Sequence, residues 1–251
     1  MSIILSAKDL CKTYTVNKFS NDVLKNVDFS MEEGEFVSVM GPSGSGKSTL
    51  LYTVSGMDKM TSGEVCFSGK NMSTMNKKEL SRLRLLEMGF IFQQMYMMKR
   101  LCIVDNIILP GYQSGADRTA VAKKAGELME RLGISDVAHH EINEVSGGQL
   151  QRACLCRALI NEPKLIFADE PTGALNSRAA ADVMKELSNV NKNGTSVMMV
   201  THSAKVAAYS DRVIYLVDGG IQGELSLGKY EGNDLSGRER ILSSWLMEQG
   251  W

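Results

Sequence analysis

The sequence predicts an α/β fold in which a parallel sheet is interrupted by an inserted helical lobe and accompanied by a smaller antiparallel sheet. Three observations carry this. Short runs of alternating polarity come first, at residues 3–14, 23–31 and 63–69, the pattern of half-buried antiparallel strands. An apolar run at 35–40 then passes through a glycine-rich loop into a helix-like run at 48–54, which is the strand-loop-helix opening of a parallel sheet. Late in the chain, apolar runs at 165–169, 197–201 and 212–217 alternate with helix-like stretches, so the parallel sheet resumes.

Each later element has a local reason. Residues from about 74 to 162 read as largely helical. Asp117 has the character of an N-cap, Val121, Ala125, Leu128, Met129 and Leu132 fall on one face, and Gly133 ends the helix. Asp218-Gly-Gly220 turns the chain into a final short strand. In the tail, Ser236-Gly-Arg-Glu239 has the spacing of a capping box, and Ile241, Leu242, Trp245 and Leu246 share a helical face. The expected organisation is a discontinuous core at 1–94 and 163–223, a helical lobe at 95–162 and a tail helix at 224–251.

The loop Gly41-Pro-Ser-Gly-Ser-Gly46-Lys47-Ser48 fits G-x-x-x-x-G-K-[ST] in the context that motif requires. Glycines at 41, 44 and 46 let successive N–H groups face an anion, and the helix behind them adds its positive end. Lys47 can reach the outer phosphates of a nucleotide and the Ser48 hydroxyl can hold magnesium. Gly41, Ser43, Gly44, Ser45, Gly46, Lys47, Ser48 and Thr49 are therefore the expected phosphate-binding set. Further on, Leu165-Ile-Phe-Ala168 leads into Asp169 and Glu170. This reads as a buried strand with two carboxylates at its carboxyl end, where ligands of open α/β sheets bind. Asp169 is placed to hold the magnesium and Glu170 to polarise an attacking water.

With Phe92-Gln93, Ser146-Gly-Gly-Gln149, Ala174-Leu-Asn-Ser177 and Thr201-His202 added in order, the chain resembles the nucleotide-binding subunit of an ATP-binding cassette (ABC) transporter over nearly its whole length. The resemblance implies a P-loop NTPase (RecA-like) core with an antiparallel β subdomain and an inserted α-helical subdomain, binding ATP and Mg2+. Ala168-Asp-Glu-Pro-Thr-Gly-Ala174, Gly89-Phe-Ile-Phe-Gln93 and Val200-Thr-His202 are similar to cassettes that power FtsX-like permeases of the macrolide-exporter, lipoprotein-release and bacitracin-export types.

Further roles follow from the resemblance alone. Gln93 touches magnesium or the lytic water and senses the γ-phosphate, and His202 bonds that phosphate and orients Glu170. Tyr14 stacks on adenine. Ser146 and Gly148, with Gln149 beside them, bind ATP held by a second copy, so that two ATP molecules are sandwiched in a homodimer. Met95, Tyr96, Met97 and Met98 face a cytoplasmic helix of the permease. The resemblance to the bacitracin-export group, including Val206-Ala-Ala-Tyr-Ser-Asp-Arg-Val-Ile-Tyr215, implies peptide-antibiotic export or resistance in a bacterium. Lipoprotein release, drug efflux and mechanotransmission are the alternatives, and a soluble cassette ATPase is a more distant one. One departure stands out: Asn176 replaces an aspartate common in the family, which keeps the hydrogen-bonding shape and loses the charge.

Composition agrees with a water-exposed chain. A net charge of −1 and a pI near 6.3 give no basic face for nucleic acid. No apolar run approaches the ~20 residues that span a bilayer, and Met1-Ser-Ile-Ile-Leu-Ser6 lacks the make-up of a signal peptide. The expected location is cytoplasmic, peripheral on the inner face of the membrane. Five scattered cysteines suit free thiols in a reducing compartment, and His139-His140 reads as a solvated loop pair.

Overall fold

The computed structural model describes residues 2–16 and 19–251; Met1, the first residue of the segment compared with a signal peptide, lies outside them. The chain opens with β1 (Ile3–Val16) and β2 (Phe19–Glu32), followed by β3 (Phe36–Met40), α1 (Lys47–Val54), β4 (Ser62–Phe67) and β5 (Lys70–Asn71). Then come α2 (Lys77–Glu87), β6 (Met88–Ile91), α3 (Ile103–Gln113), α4 (Arg118–Arg131) and α5 (Gly147–Leu159). The last part comprises β7 (Leu165–Asp169), α6 (Ser177–Lys192), β8 (Ser196–Val200), α7 (Ala204–Ala207), β9 (Arg212–Val217), β10 (Gly220–Ser226) and α8 (Leu235–Glu248).

Among the described residues, one sheet runs β10-β9-β3-β8-β7-β6, parallel except for the β9–β10 hairpin, and an antiparallel sheet runs β2-β1-β4-β5. The large sheet is buried on both faces. Ile166, Ala168, Val197 and Met199 point into a cluster with the helical lobe, while Leu165, Phe167, Met198 and Val200 join β1, β2 and α1. Burial on both sides is why these strands read as continuous apolar runs rather than alternating ones.

Several expectations change. The first two strands are 14 residues each rather than short, because their hairpin continues through register shifts near Asp9 and Asn26, which take left-handed backbone. The stretch from 74 to 162 is not uniformly helical: Met88-Gly-Phe-Ile91 forms an edge strand beside β7. Gly89 lets it seat there, since a Cβ would come within 2.7 Å of the Ala158 carbonyl. Helix α4 agrees with its sequence, with Asp117 accepting from Ala120 N–H, the five apolar residues buried, and Gly133 at positive φ. The tail helix starts two residues earlier than the capping-box spacing implied. Asp234, not Ser236, caps it by accepting from Gly237 N–H. Leu242 and Leu246 bury against Met40, Val213 and Tyr215, whereas Ile241 is turned to solvent. All five cysteines are free, and His139 and His140 are exposed.

Candidate functional site

Four strand ends converge. The loop after β3 supplies 41–48, β6 leads to Gln93, β7 ends on Asp169 and Glu170, and β8 leads to His202. Since β3, β8, β7 and β6 are parallel neighbours, their carboxyl ends share one edge, the position at which open α/β sheets bind ligands. A cavity of about 410 Å³ there is lined by Ser43, Gly44, Gly46, Lys47, Ser48, Thr49, Gln93, Asp169, Glu170 and His202, with Val23 and Val200 completing its wall.

The loop geometry depends on its glycines. Gly41 packs so close to β9 that a Cβ would lie 2.0 Å from the Leu216 carbonyl oxygen. Gly46, at φ 101°, caps α1 in left-handed backbone with the Val23 oxygen beside it. Lys47 is buried, its Nζ donating to the Gly41 and Pro42 carbonyls at 2.9 and 2.7 Å. The ammonium is thereby folded across the loop. The Ser45 hydroxyl is buried without a protein partner.

The acidic pair divides by environment. Asp169 accepts from Ser48 Oγ at 2.9 Å and from the Tyr52 hydroxyl at 2.6 Å. Glu170 takes left-handed backbone (φ 48°), its N–H donating to the Val200 carbonyl at 3.0 Å. Burial first, and then the Asp169 charge, push the Glu170 carboxyl up to about 7, against the pull of Lys47. Its Oε1 has no hydrogen-bond partner, although His202 Nε2 stands 3.2 Å away. Burial, followed by the Lys47 ammonium, lowers the His202 pKa and so favours the neutral ring. A carboxyl poised near neutrality beside a neutral imidazole suits proton abstraction from water.

Oxygen donors from Ser48 and Asp169 meeting at hydrogen-bond distance fit a magnesium ion. Among the described residues no cluster of three or more His, Cys, Asp or Glu could hold a metal alone, so the remaining ligands would be phosphate oxygens and water, as is usual for magnesium.

Other predicted residues do not line this cavity. Tyr14 sits at the edge, 40% exposed, with its hydroxyl on Asp58 and Lys12 Nζ 4.5 Å over its ring. Ser146, Gly148 and Gln149 stand at the N-terminus of α5. Ser146 forms a capping box with Gln149, accepting its N–H while Gln149 Oε1 receives the Ser146 N–H and hydroxyl. Asn176 caps α6 by accepting from Ala179 N–H at 2.9 Å. Of Met95, Tyr96, Met97 and Met98, Tyr96 alone lines a groove of about 290 Å³, which Arg84, Leu85, Phe92, Pro110 and Arg157 help to form; Met97 packs into the helical lobe.

Sequence reasoning missed Tyr52 and Val23. The signal for Tyr52 was available, since it lies four residues after Ser48 and so on the same helical face. Val23 carried none, because only the fold of the first hairpin brings it to the loop.

A family model described as "ABC transporter" matches residues 24–173. The bacitracin export ATP-binding protein BceA of Halalkalibacterium halodurans is 42% identical over 226 residues, 90% of this chain and 89% of that protein. The lipoprotein-releasing system ATP-binding protein LolD of Aquifex aeolicus is 39% identical over 90% of this chain and 99% of its own length. Among solved structures, the dimeric cassette MJ0796, a protein of Methanocaldococcus jannaschii, matches with a TM-score of 0.84 at 38% identity, over 90% of this chain and 100% of that one. A post-hydrolysis state of that cassette bound to ADP and Pi matches with a TM-score of 0.81.

Proposed function

The chain belongs to the ABC transporter family and is an ATP-binding, ATP-hydrolysing subunit; from that premise we propose that it closes on ATP as a homodimer and energises an FtsX-like permease for antimicrobial-peptide export or resistance. The observation that carries the hydrolytic part is the placement of Glu170: a half-buried carboxyl with an unpartnered oxygen 3.2 Å from His202 Nε2, lining the same cavity as the glycine-rich loop. Water beside the γ-phosphate loses its proton to Glu170, and His202 steadies that carboxylate. Lys47 and the loop N–H groups hold the phosphates in line, which is the larger part of phosphoryl-transfer catalysis. Ser48, Asp169 and Gln93 would hold magnesium, which when bound supplies charge neutralisation on the phosphates. Tyr14 stacks on the base.

Closure as a dimer is supported by Ser146, Gly148 and Gln149 not lining the cavity they are expected to serve. A second copy brings them to it, and the solved relative is dimeric. The subdivision at 1–94 with 163–223, 95–162 and 224–251 belongs to the same reading. No helix among the described residues is long and apolar enough to cross a membrane. The permease is read as a separate chain, and this one as peripheral to the cytoplasmic face, from the likeness to the bacitracin export and lipoprotein-releasing ATP-binding proteins. The peptide cargo rests on the likeness to the bacitracin exporter; the lipoprotein-releasing relative supports the alternative of lipid-anchored cargo.

Light scattering of Glu170→Gln with ATP and magnesium, beside steady-state hydrolysis by the unmodified chain, tests this. A dimer only with ATP, together with loss of hydrolysis in the variant, is expected. A persistent monomer with ATP bound would place closure under the permease's control.

A further inference from the structure

Tyr52 stands one turn beyond Ser48 on α1, and together they bond both oxygens of Asp169, at 2.6 and 2.9 Å. Gripped from one rigid helix, the carboxylate loses its freedom to rotate. Phosphate binding itself asks for no phenol at this place. Partners of that kind, standing behind a ligand, set how well it serves a metal.

The Tyr52 ring also begins an aromatic row. Its centroid lies 6.3 Å from Phe92, which stacks on Phe90 at 6.0 Å and meets Tyr96 edge-on at 5.3 Å. Phe92 and Tyr96 line the 290 Å³ groove. At the groove end, Met95 and Tyr96 take left-handed backbone (φ 59° and 43°). Arg157 holds that turn by donating to both carbonyls, at 2.7 and 2.8 Å. Non-glycine residues in that region carry strain and persist only while their surroundings hold them, so the turn has a lower-energy backbone to move to when its contacts change. Tyr52 and Phe92 are half-buried and Tyr96 is exposed at the groove, and because Phe92 touches both other rings a displacement of Tyr96 is passed along the row by contact.

We propose that Tyr52 is a positioning residue for Asp169, and that the row Tyr52–Phe92–Tyr96 makes the posture of this carboxylate respond to what occupies the groove. The inference rests on reading Asp169 as the magnesium-side carboxylate of an ATP site. An occupant pressing on Tyr96 displaces Phe92 and with it the Tyr52 ring, and the phenol then keeps or releases Asp169 Oδ2. Groove and metal ligand are joined by three side chains, without passing through Gln93.

The test uses the full chain carrying Glu170→Gln and a fluorescent ATP, bound once in chelator and once with saturating manganese. The ratio of the two affinities reads the metal's contribution. Tyr52→Phe keeps the ring and deletes the hydroxyl. It is expected to lower that ratio roughly ten-fold, the scale for losing a group behind a metal ligand, with the affinity in chelator unchanged. Tyr96→Ala is expected to shift the ratio in the Tyr52 chain and to add nothing in the Tyr52→Phe chain, the non-additivity of coupled residues. An unchanged ratio in Tyr52→Phe overturns the positioning role. Equal shifts by Tyr96→Ala in both backgrounds overturn the link to the groove. If the unmodified site binds no ATP, the reading of the site fails and takes this inference with it.

Discussion

Glu170 leaves a fully buried strand in left-handed backbone, and this turn sets its carboxyl between Asp169 and His202. Its proton is consequently held more tightly in the folded than in the unfolded chain, where the ordinary value is near 4.5. Between about 4.5 and about 7 the unfolded state has already lost a proton that the folded state keeps. Stability of the nucleotide-free, metal-free protein from this group is therefore lost as pH rises through that window and stays level above it. Glu170→Gln has no such loss, so its stability relative to the parent chain should grow from pH 4.5 to pH 8. Urea unfolding of both chains at pH 5 and pH 8 reads the difference, and equal differences at the two values would overturn the assignment. The acidic pair was legible in the sequence as two carboxylates after an apolar run. The split between them was not, because burial and the Tyr52 and Ser48 hydroxyls belong to the folded arrangement.

Among the elements, α8 shows how a segment outside every catalytic motif can still be held firmly. Arg238 donates to the carbonyls of Ala208, Ser210, Leu227 and Gly228 at 2.6 to 3.0 Å, and Lys229 reaches Asp211 at 2.6 Å. The helix is thus fastened by a guanidinium saturating four acceptors, and Leu242 and Leu246 close a small core over β9. Arg238→Ala should cost about 2–3 kcal/mol, the scale of hydrogen bonds to a charged group, with no change in nucleotide affinity because no α8 residue lines the nucleotide cavity. A urea midpoint unmoved by the substitution would show that the packing of α8 carries the attachment instead. Apolar spacing in the tail was enough to announce a helix. Its start was misread because a capping residue is decided by local backbone, and Asp234 adopts the conformation that Ser236 does not.

For the whole molecule, the groove between the large sheet and the helical lobe is where a partner's helix is read to seat. Tyr96 is 62% exposed and lines it, while Met98, 54% exposed, lies outside. Tyr96→Ala should reduce co-purification with the permease roughly ten-fold, as for an aromatic at the centre of an interface, whereas Met98→Ala should leave it unchanged. Equal losses for the two would move the docking surface away from this groove.

The phosphate loop, the acidic pair at the end of β7 and the cap and apolar face of α4 were legible in the sequence, since each lies within a short stretch whose spacing has a physical reading, and the order of the dispersed motifs carried the resemblance to the family. Three-dimensional packing alone makes β6 a strand, sets Tyr52 on Asp169, brings Tyr96 and none of its three predicted companions to the groove, and leaves Ser146 out of the lining of the cavity it is expected to serve. These depend on contacts between residues far apart in the chain, and spacing along a sequence says nothing of which side chains the sheet will bring together.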